Sequence, residues 1–354
     1  MIDIETLSSQ IKRNCNISDA KYWGTYSICG LLLRLRQLCR IEKGIKPWEK
    51  TSKQEVAEWI SERETLWHEL EDKEFIDITV NGNSYSPFEV EKINAVLENE
   101  NLLYGAGYGN YFKPSFFLAD LTSKKIVDGH DIYMAGTEYV RDLSAYPAML
   151  QDGVIFARVD TMKLLLWEKF DELRARGPKG FLAFAFSRYG IAPEDEPSED
   201  IDRELSIIAS SEAETFIHHE LGEVFEGKKL GCEWKSLLMN LSCSKAELFA
   251  RGIKDLLSDT SEKGMIHYII ENQKEGSLGF YIVFLGGYRR LLFPEILEAS
   301  KRFMDVRDWD LIEDARETGY KKVEAYADKL ISLYRTDKNR FSENIETEIL
   351  SRLS

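Results

Sequence analysis

Apolar residues spaced three to four positions apart predict helices at both ends of this 354-residue chain. The first helical segment covers residues 1–72. One of its helices is predicted over residues 28–40, with capping side chains before it at 17–19 and a stop at Pro47. A second helix is predicted over residues 52–70.

Between residues 73 and 192 the pattern changes to short runs of β-branched and aromatic residues separated by turn-forming residues. Because short turns join the predicted strands, we expect an antiparallel sheet in this section. The predicted elements are a strand at 75–80, a turn at Asn81-Gly82, a helix at 87–100, strands at 116–121 and 126–135 around a turn at 122–125, a strand at 154–159 and a helix at 162–174.

An acidic, proline-containing stretch at residues 193–200 has no apolar residue and is the predicted linker. It separates the α+β section at 73–192 from a mainly helical domain at 201–354, whose first helix is predicted to be the longest of the chain. The expected fold class is α+β, with a helical N-terminus, an antiparallel-sheet middle section and a helical C-terminal domain. A hydrophobic content of 44% is enough for more than one core.

The charge balance restricts the partners that we expect. The chain carries 46 Lys and Arg against 61 Asp and Glu, a formal net charge of −15. Such a surface repels phosphate backbones and anionic bilayers, so neither a nucleic acid nor a membrane is expected as a partner. Five cysteines without CxxC spacing, an acidic N-terminus without a signal-peptide pattern and short apolar runs predict a cytoplasmic protein.

The segment at residues 212–223 has the most informative chemistry, because two of the five histidines lie there among four glutamates. On a helix, His219 and Glu223 lie one turn apart on one face, with Glu212 two turns upstream on the same face. Burying carboxylates is costly unless they are paired, protonated or bound to a metal. We therefore expect a divalent metal ion at His219 and Glu223, with Glu212 as a ligand or supporting partner. Zinc is the first choice, and iron or manganese are alternatives.

The neighbours of these ligands have separate predicted roles. Glu220 lies about 100° around the helix from His219 and is expected to be the general base that activates a metal-bound water. His218 is a further candidate metal ligand, although an i−4 pair with Glu214 is the favoured interpretation.

Further ligands could come from other parts of the chain. His267 and Glu271 form another i, i+4 pair, for which a solvated helix face is favoured. His130 lies between acidic residues, and a turn or edge strand is its favoured interpretation.

The sequence His219-Glu220-Leu-Gly-Glu223 resembles the metal-binding helix of zincin metallopeptidases, His-Glu-x-x-His. The resemblance implies that His219 is a ligand, that Glu220 is the general base and that Glu223 replaces the second ligand histidine. The whole chain is also similar to an uncharacterised family of soluble bacterial proteins, which implies no assigned activity. The segments that carry this similarity are Ser18-Asp-Ala-Lys-Tyr-Trp-Gly24, Leu31-Leu-Leu-Arg-Leu-Arg36, Lys46-Pro-Trp-Glu49 and His218-His-Glu-Leu-Gly-Glu223.

Three functions follow from these patterns. The first is a metal-dependent hydrolase that acts on an unknown small molecule or peptide. The second is a helical non-haem iron or manganese oxidoreductase, which would need carboxylates from several helices. The third is a non-enzymatic interaction or scaffold protein in which the Glu/His cluster is structural.

Overall fold

The computed structural model describes residues 2–109, 112–151, 153–241 and 244–353. The chain forms two compact units. The first contains Met1–Trp167 and Glu196–Ala213, and the second contains Glu168–Asp195 and Glu214–Ser354. One passage between the units falls at residues 195–196, within the predicted linker. The predicted domain limits remain predictions.

The first unit combines helices with a sheet, and the expected α+β class is confirmed. Its elements are α1 (Ile4–Tyr22), a 3₁₀ turn (Trp23–Thr25), α2 (Ile28–Glu42), α3 (Lys53–Leu70), β1 (Ile78–Val80), β2 (Asn83–Tyr85), α4 (Val90–Leu97), a 3₁₀ turn (Glu98–Glu100), β3 (Leu102–Tyr108), β4 (Pro114–Val127), β5 (His130–Arg141), β6 (Ala148–Gln151), β7 (Val154–Arg158) and the start of α5 (Val159–Arg176).

The helix starts depend on capping side chains, and one predicted cap is wrong. Ser52 accepts a hydrogen bond from the Glu55 N–H at the start of α3, which covers Lys53–Leu70 and matches the helix predicted over residues 52–70. The predicted cap of α2 at residues 17–19 instead lies buried inside α1, and Ser27 caps α2. The two polar side chains have tertiary partners, since the Ser18 hydroxyl donates to the Pro114 carbonyl oxygen and the Asp19 carboxylate accepts the Leu143 N–H at 3.2 Å.

The larger sheet has the strand order β3-β4-β5-β7-β6. Its neighbouring strands are antiparallel, except that β5 and β7 pair in parallel. The predicted turn at 122–125 is wrong, because β4 continues through it with bulges and the chain reverses at Asp128-Gly129. Both turn residues have positive φ angles, as a tight hairpin turn requires. The polar composition of 122–125 reflects exposure to solvent and not a reversal of the chain.

The smaller sheet confirms a turn that the sequence predicts. β1 and β2 form an antiparallel hairpin joined by Asn81 and Gly82, both with positive φ. Helix α1 covers the larger sheet with an apolar face that contains Leu7, Ile11 and Cys15, and these side chains belong to the same buried cluster as the strand residues.

The second unit is helical and contains the longest helix of the chain. Helix α7 enters it from the first unit and kinks at Gly231, where φ is 70°. Helix α8 is buried along most of its length, in a core that also includes residues of α10 and α13. The elements are the end of α5, α6 (Gly180–Ser187), α7 (Glu199–Asn240), α8 (Lys245–Thr260), α9 (Met265–Glu271), α10 (Glu275–Phe284), α11 (Gly287–Leu292), α12 (Pro294–Val306), α13 (Asp310–Thr336), α14 (Phe341–Glu348) and a 3₁₀ turn (Leu350–Arg352).

Among the helices that the structure describes, none is both long and apolar enough to cross a membrane.

Candidate metal centre

Helices α7 and α8 cross so closely that their polar side chains converge. A Cβ atom at Gly222 of α7 would overlap the main-chain carbonyl of Ser258 in α8, so only glycine permits this approach. The crossing aligns one face of α7 with one face of α8. The side chains that meet there are His219, Glu220 and Glu223 from α7, and Lys254, Asp255 and Asp259 from α8.

Three of these residues form a potential ligand set for a metal ion. His219, Glu223 and Asp255 each offer one ligand atom, and the three atoms lie within 4.8 Å of one another. His219 Nε2 is 3.8 Å from Glu223 Oε1, as their i, i+4 spacing on α7 predicts. Ligand atoms around one zinc ion lie roughly 3.3 Å apart. Small side-chain adjustments would therefore close the three groups around an ion.

The second ring nitrogen of His219 is fixed by Asp259. His219 Nδ1 lies 2.7 Å from Asp259 Oδ1, and a carboxylate acceptor requires the proton to be on Nδ1. The Nε2 lone pair of the neutral ring is then directed to the side of Glu223. Asp259 Oδ2 also accepts a hydrogen bond from the Tyr281 hydroxyl at 3.3 Å. Histidines that bind a metal through one ring nitrogen typically donate the N–H of the other nitrogen to a carboxylate in this way.

The surroundings shift the pKa values of the two α7 groups. Burial raises the pKa of the Glu220 carboxyl to about 7, and the negative charge of Glu223 adds to the shift. Burial alone would lower the pKa of His219, but the charge of Asp259 and its hydrogen bond raise it to about 10. In the absence of a metal ion, His219 is therefore protonated at neutral pH.

Two cations also belong to the cluster. Lys254 Nζ is 2.5 Å from Glu223 Oε2, and the lysine charge holds the pKa of Glu223 below its usual range despite burial. The Arg289 guanidinium lies 3.6 Å from Asp259 and 4.0 Å from Asp255. Burial raises the pKa of Asp255.

The formal charges of the cluster show how much additional positive charge it can bind. The four carboxylates of Glu220, Glu223, Asp255 and Asp259 exceed the two permanent cations, Lys254 and Arg289, by two negative charges. One divalent ion would neutralise this excess with His219 neutral, and so would two bound protons. The same residues can therefore form a metal site or a self-contained ion-pair network.

Comparison with known sequence families identifies the family of this chain. The N-terminal domain of a family of unknown function, DUF6866, matches residues 6–158, and the C-terminal domain of that family matches residues 163–352. The chain belongs to the DUF6866 family. No curated protein matches it, and no solved structure does. The similarity to an uncharacterised family is thus confirmed, and the geometry of the site has to carry the functional argument.

Two predicted site residues of this DUF6866 chain lie outside the ligand set. His218 stacks on the Tyr268 ring, with ring centroids 3.8 Å apart and an interplanar angle of 11°. Glu212 is buried in the part of α7 that belongs to the first unit. Within the described parts of the chain, neither is among the residues whose ligand atoms converge with those of His219.

The other histidines that the sequence suggested as ligands also lie elsewhere in the DUF6866 fold. His267 Nε2 pairs with Glu271 Oε1 at 3.3 Å on a partly exposed face of α9, in agreement with the solvated-face interpretation. His130 begins β5, and its Nδ1 is 3.2 Å from the Gly153 carbonyl oxygen. Neither histidine supplies the third ligand.

The sequence prediction did not include the acidic residues that α8 contributes, Asp255 and Asp259. Asp255 and Asp259 are one turn apart on a helix whose neighbouring residues Ile253, Leu256 and Leu257 are buried. Two aspartates at i, i+4 in a buried helix have the same unfavourable desolvation as Glu212 and Glu223. That signal is present in the sequence and points to Asp255, the third residue of the potential ligand set.

Proposed function

We propose that the C-terminal domain binds one divalent metal ion through His219, Glu223 and Asp255, and that the protein uses this ion for hydrolysis. The main support for the proposal is the 2.7 Å hydrogen bond between His219 Nδ1 and the Asp259 carboxylate. This bond leaves Nε2 on the side of the two proposed carboxylate ligands, Glu223 and Asp255. Zinc suits this nitrogen and oxygen donor set best, and iron or manganese are the alternatives.

In the proposed reaction, the metal ion and Glu220 would have separate roles. A bound zinc ion would supply Lewis-acid activation of a water molecule. Glu220 would accept a proton from that water at its carboxylate and pass it to the leaving group of an ester or amide. Its burial beside the ligands supports this role, because a partly desolvated carboxylate binds a proton more readily than an exposed one. We propose a small molecule or a peptide as the substrate.

A structural role for the cluster is the second candidate. The 2.5 Å ion pair between Lys254 and Glu223 favours it, because Lys254 already compensates one of the proposed ligands without a metal. In this case the ion-pair network holds α7 against α8, and the protein is a non-enzymatic scaffold that binds partners through its surface.

The metal content of the full-length, untagged protein decides between these candidates. Wild type, His219→Ala and Asp255→Asn would be reconstituted with zinc, dialysed and analysed for bound elements. Glu298→Gln is the matched control, since Glu298 is an exposed residue of α12. We expect near-stoichiometric metal in wild type and control, and little in the two site variants.

Each other outcome rejects a defined part of the proposal. A wild type that holds no metal after reconstitution rejects both enzyme functions, and a loss of stability in metal-free His219→Ala then supports the scaffold role. Stoichiometric metal that persists in both site variants rejects this ligand set. A coloured, iron-loaded native protein would favour the oxidoreductase alternative over the hydrolase.

A further inference from the structure

The beginning of α2 exposes large apolar side chains to solvent. In α2, Ile28 is 79%, Leu32 51% and Leu33 61% exposed, and Trp23 in the preceding 3₁₀ turn is 48% exposed. Single exposed apolar residues are ordinary, but four within eleven residues form a surface that usually has a binding partner.

These side chains are not part of the core that holds α2 in place. Further along the helix, Leu35, Leu38 and Cys39 are buried in a cluster with Trp59 of α3, and Ile28 and Leu32 continue the line of Leu35 and Cys39 beyond that cluster. The exposed residues are therefore additional to what the fold requires.

The same helix continues into the most basic part of an acidic chain. Residues 34–53 contain seven Lys and Arg and two Glu, a net charge of +5, whereas the whole chain has −15. Arg36 and Lys43 are exposed and lie four and eleven residues after Leu32, which places all three on one face of the helix. This face is thus apolar at its start and positive at its end.

Arg40 fixes the basic segment that follows α2. Its Nη2 donates hydrogen bonds to the carbonyl oxygens of Pro47 and Glu49, both at 2.7 Å. Its Nη1 lies 2.5 Å from Thr51 Oγ1. These bonds hold the main chain of residues 47–51 beside the end of the helix, and the exposed Lys46 and Lys50 lie in or next to this segment.

We infer that this face binds the headgroup region of an anionic lipid membrane. The name α2 surface is used below for Trp23, Ile28, Leu32, Leu33, Arg36 and Lys43. Helices that lie in a membrane interface insert Trp, Leu and Ile side chains and keep Lys and Arg among the anionic headgroups. The apolar side chains here are exposed on a helix that runs into a basic segment, and this combination suits the interface of an anionic membrane.

The acidic remainder of the chain is compatible with this docking. The net charge of −15 opposes a random approach to an anionic membrane, and so the sequence predicts no membrane partner. Charges further than about one Debye length from the lipid are largely screened, whereas the α2 surface would be in contact with it.

The test is flotation of the full-length protein with phosphatidylcholine vesicles, with and without phosphatidylserine, at low and high salt. We expect binding only to vesicles that contain phosphatidylserine, and weaker binding at high salt. The double variants Ile28→Ser/Leu32→Ser and Arg36→Glu/Lys43→Glu should each reduce the partition coefficient by at least about 10-fold.

Two double variants that make the same chemical changes elsewhere are the controls. Ile126→Ser/Val306→Ser replaces apolar residues that are 71% and 62% exposed, and Lys301→Glu/Lys321→Glu reverses two exposed charges. Both should bind vesicles like wild type. The inference is overturned if wild type does not float with anionic vesicles at low salt, or if test and control variants lose binding equally. A lipid-free dimer in sedimentation that the α2 variants abolish, without vesicle binding, would assign the surface to a second copy of the chain.

Discussion

The Nδ1 atom of His219 lies 2.7 Å from the carboxylate of Asp259, although the two residues are 40 positions apart in the chain. This contact joins α7, whose Glu/His spacing predicts a metal site, to α8, whose Asp255 and Asp259 were not part of that prediction. It also determines which nitrogen of His219 is free to bind an ion. Most of the proposed function depends on this one relationship.

Replacing Asp259 by asparagine should weaken metal binding without removing a direct ligand. The amide keeps the shape of the carboxylate but provides a weaker and neutral acceptor for the Nδ1 proton, so the histidine becomes a poorer ligand. We expect the zinc affinity to fall by about 10- to 100-fold in a chelator competition assay. Glu298→Gln should leave the affinity unchanged. An unaltered affinity in Asp259→Asn would contradict the proposed role of the Asp259 contact in preparing His219 to bind the metal ion.

Replacing Glu220 by glutamine should separate binding from catalysis. Glutamine has nearly the same size but cannot accept a proton from water, so metal content should stay at the wild-type level. The turnover of an activated ester by the zinc-loaded protein should fall by at least about 100-fold. If Glu220→Gln keeps full turnover, the general base is another group or the hydrolase assignment is wrong.

Replacing Gly222 by alanine should disturb the crossing of α7 and α8. The added methyl group would meet the Ser258 main-chain carbonyl, which cannot move without shifting α8. We expect a loss of at least about 2 kcal/mol in the free energy of unfolding, measured by urea denaturation.

Gly227→Ala is the matched control in the same helix, because a Cβ atom there meets no neighbouring atom. It should leave stability unchanged or raise it by up to about 1 kcal/mol through better helix propensity. Equal effects of the two substitutions would show that the close approach at Gly222 is unimportant.

A buried charge cluster in the first unit should make stability depend on pH. Lys113 Nζ lies 3.0 Å from Asp19 and 3.4 Å from Asp142, and all three side chains are buried. Burial raises the pKa of Asp19 from 3.8 to about 6, against the opposing charge of Lys113 and with the support of Asp142. Because the folded pKa is above the unfolded value, this group favours folding most below about pH 4. Its contribution is lost as the pH rises through about 6.

Comparison of wild type with Asp19→Asn measures this contribution, because asparagine does not titrate. Between pH 4 and pH 7, the free energy of unfolding of wild type should fall by up to about 3 kcal/mol relative to that of the variant. The measurement is urea denaturation at a series of pH values. The control Asp200→Asn makes the same chemical change at an exposed carboxylate and is measured over the same pH range. A difference between wild type and Asp19→Asn that does not change with pH would contradict the raised pKa of Asp19 in the folded protein.

The sequence by itself determined the features that depend on neighbouring residues. Ser52 starts α3, Asn81-Gly82 turns the first hairpin, and the spacing on α7 brings His219 and Glu223 to one face. Each of these follows from a cap, a turn conformation or a helical period, which residues a few positions apart decide by their local geometry. The α+β class follows in the same way from the succession of such elements.

The tertiary structure decided which distant residues complete the chemistry. Residues 17–19 were predicted to cap α2, but they lie buried inside α1, where Asp19 accepts the Leu143 N–H. Asp255 and Asp259 join the α7 residues only because Gly222 lets two helix backbones come together. Contacts of this kind depend on how elements pack, and packing is set by the shape and volume of many side chains at once. A local pattern contains no record of that, and so the sequence identified half of the site and the fold supplied the other half.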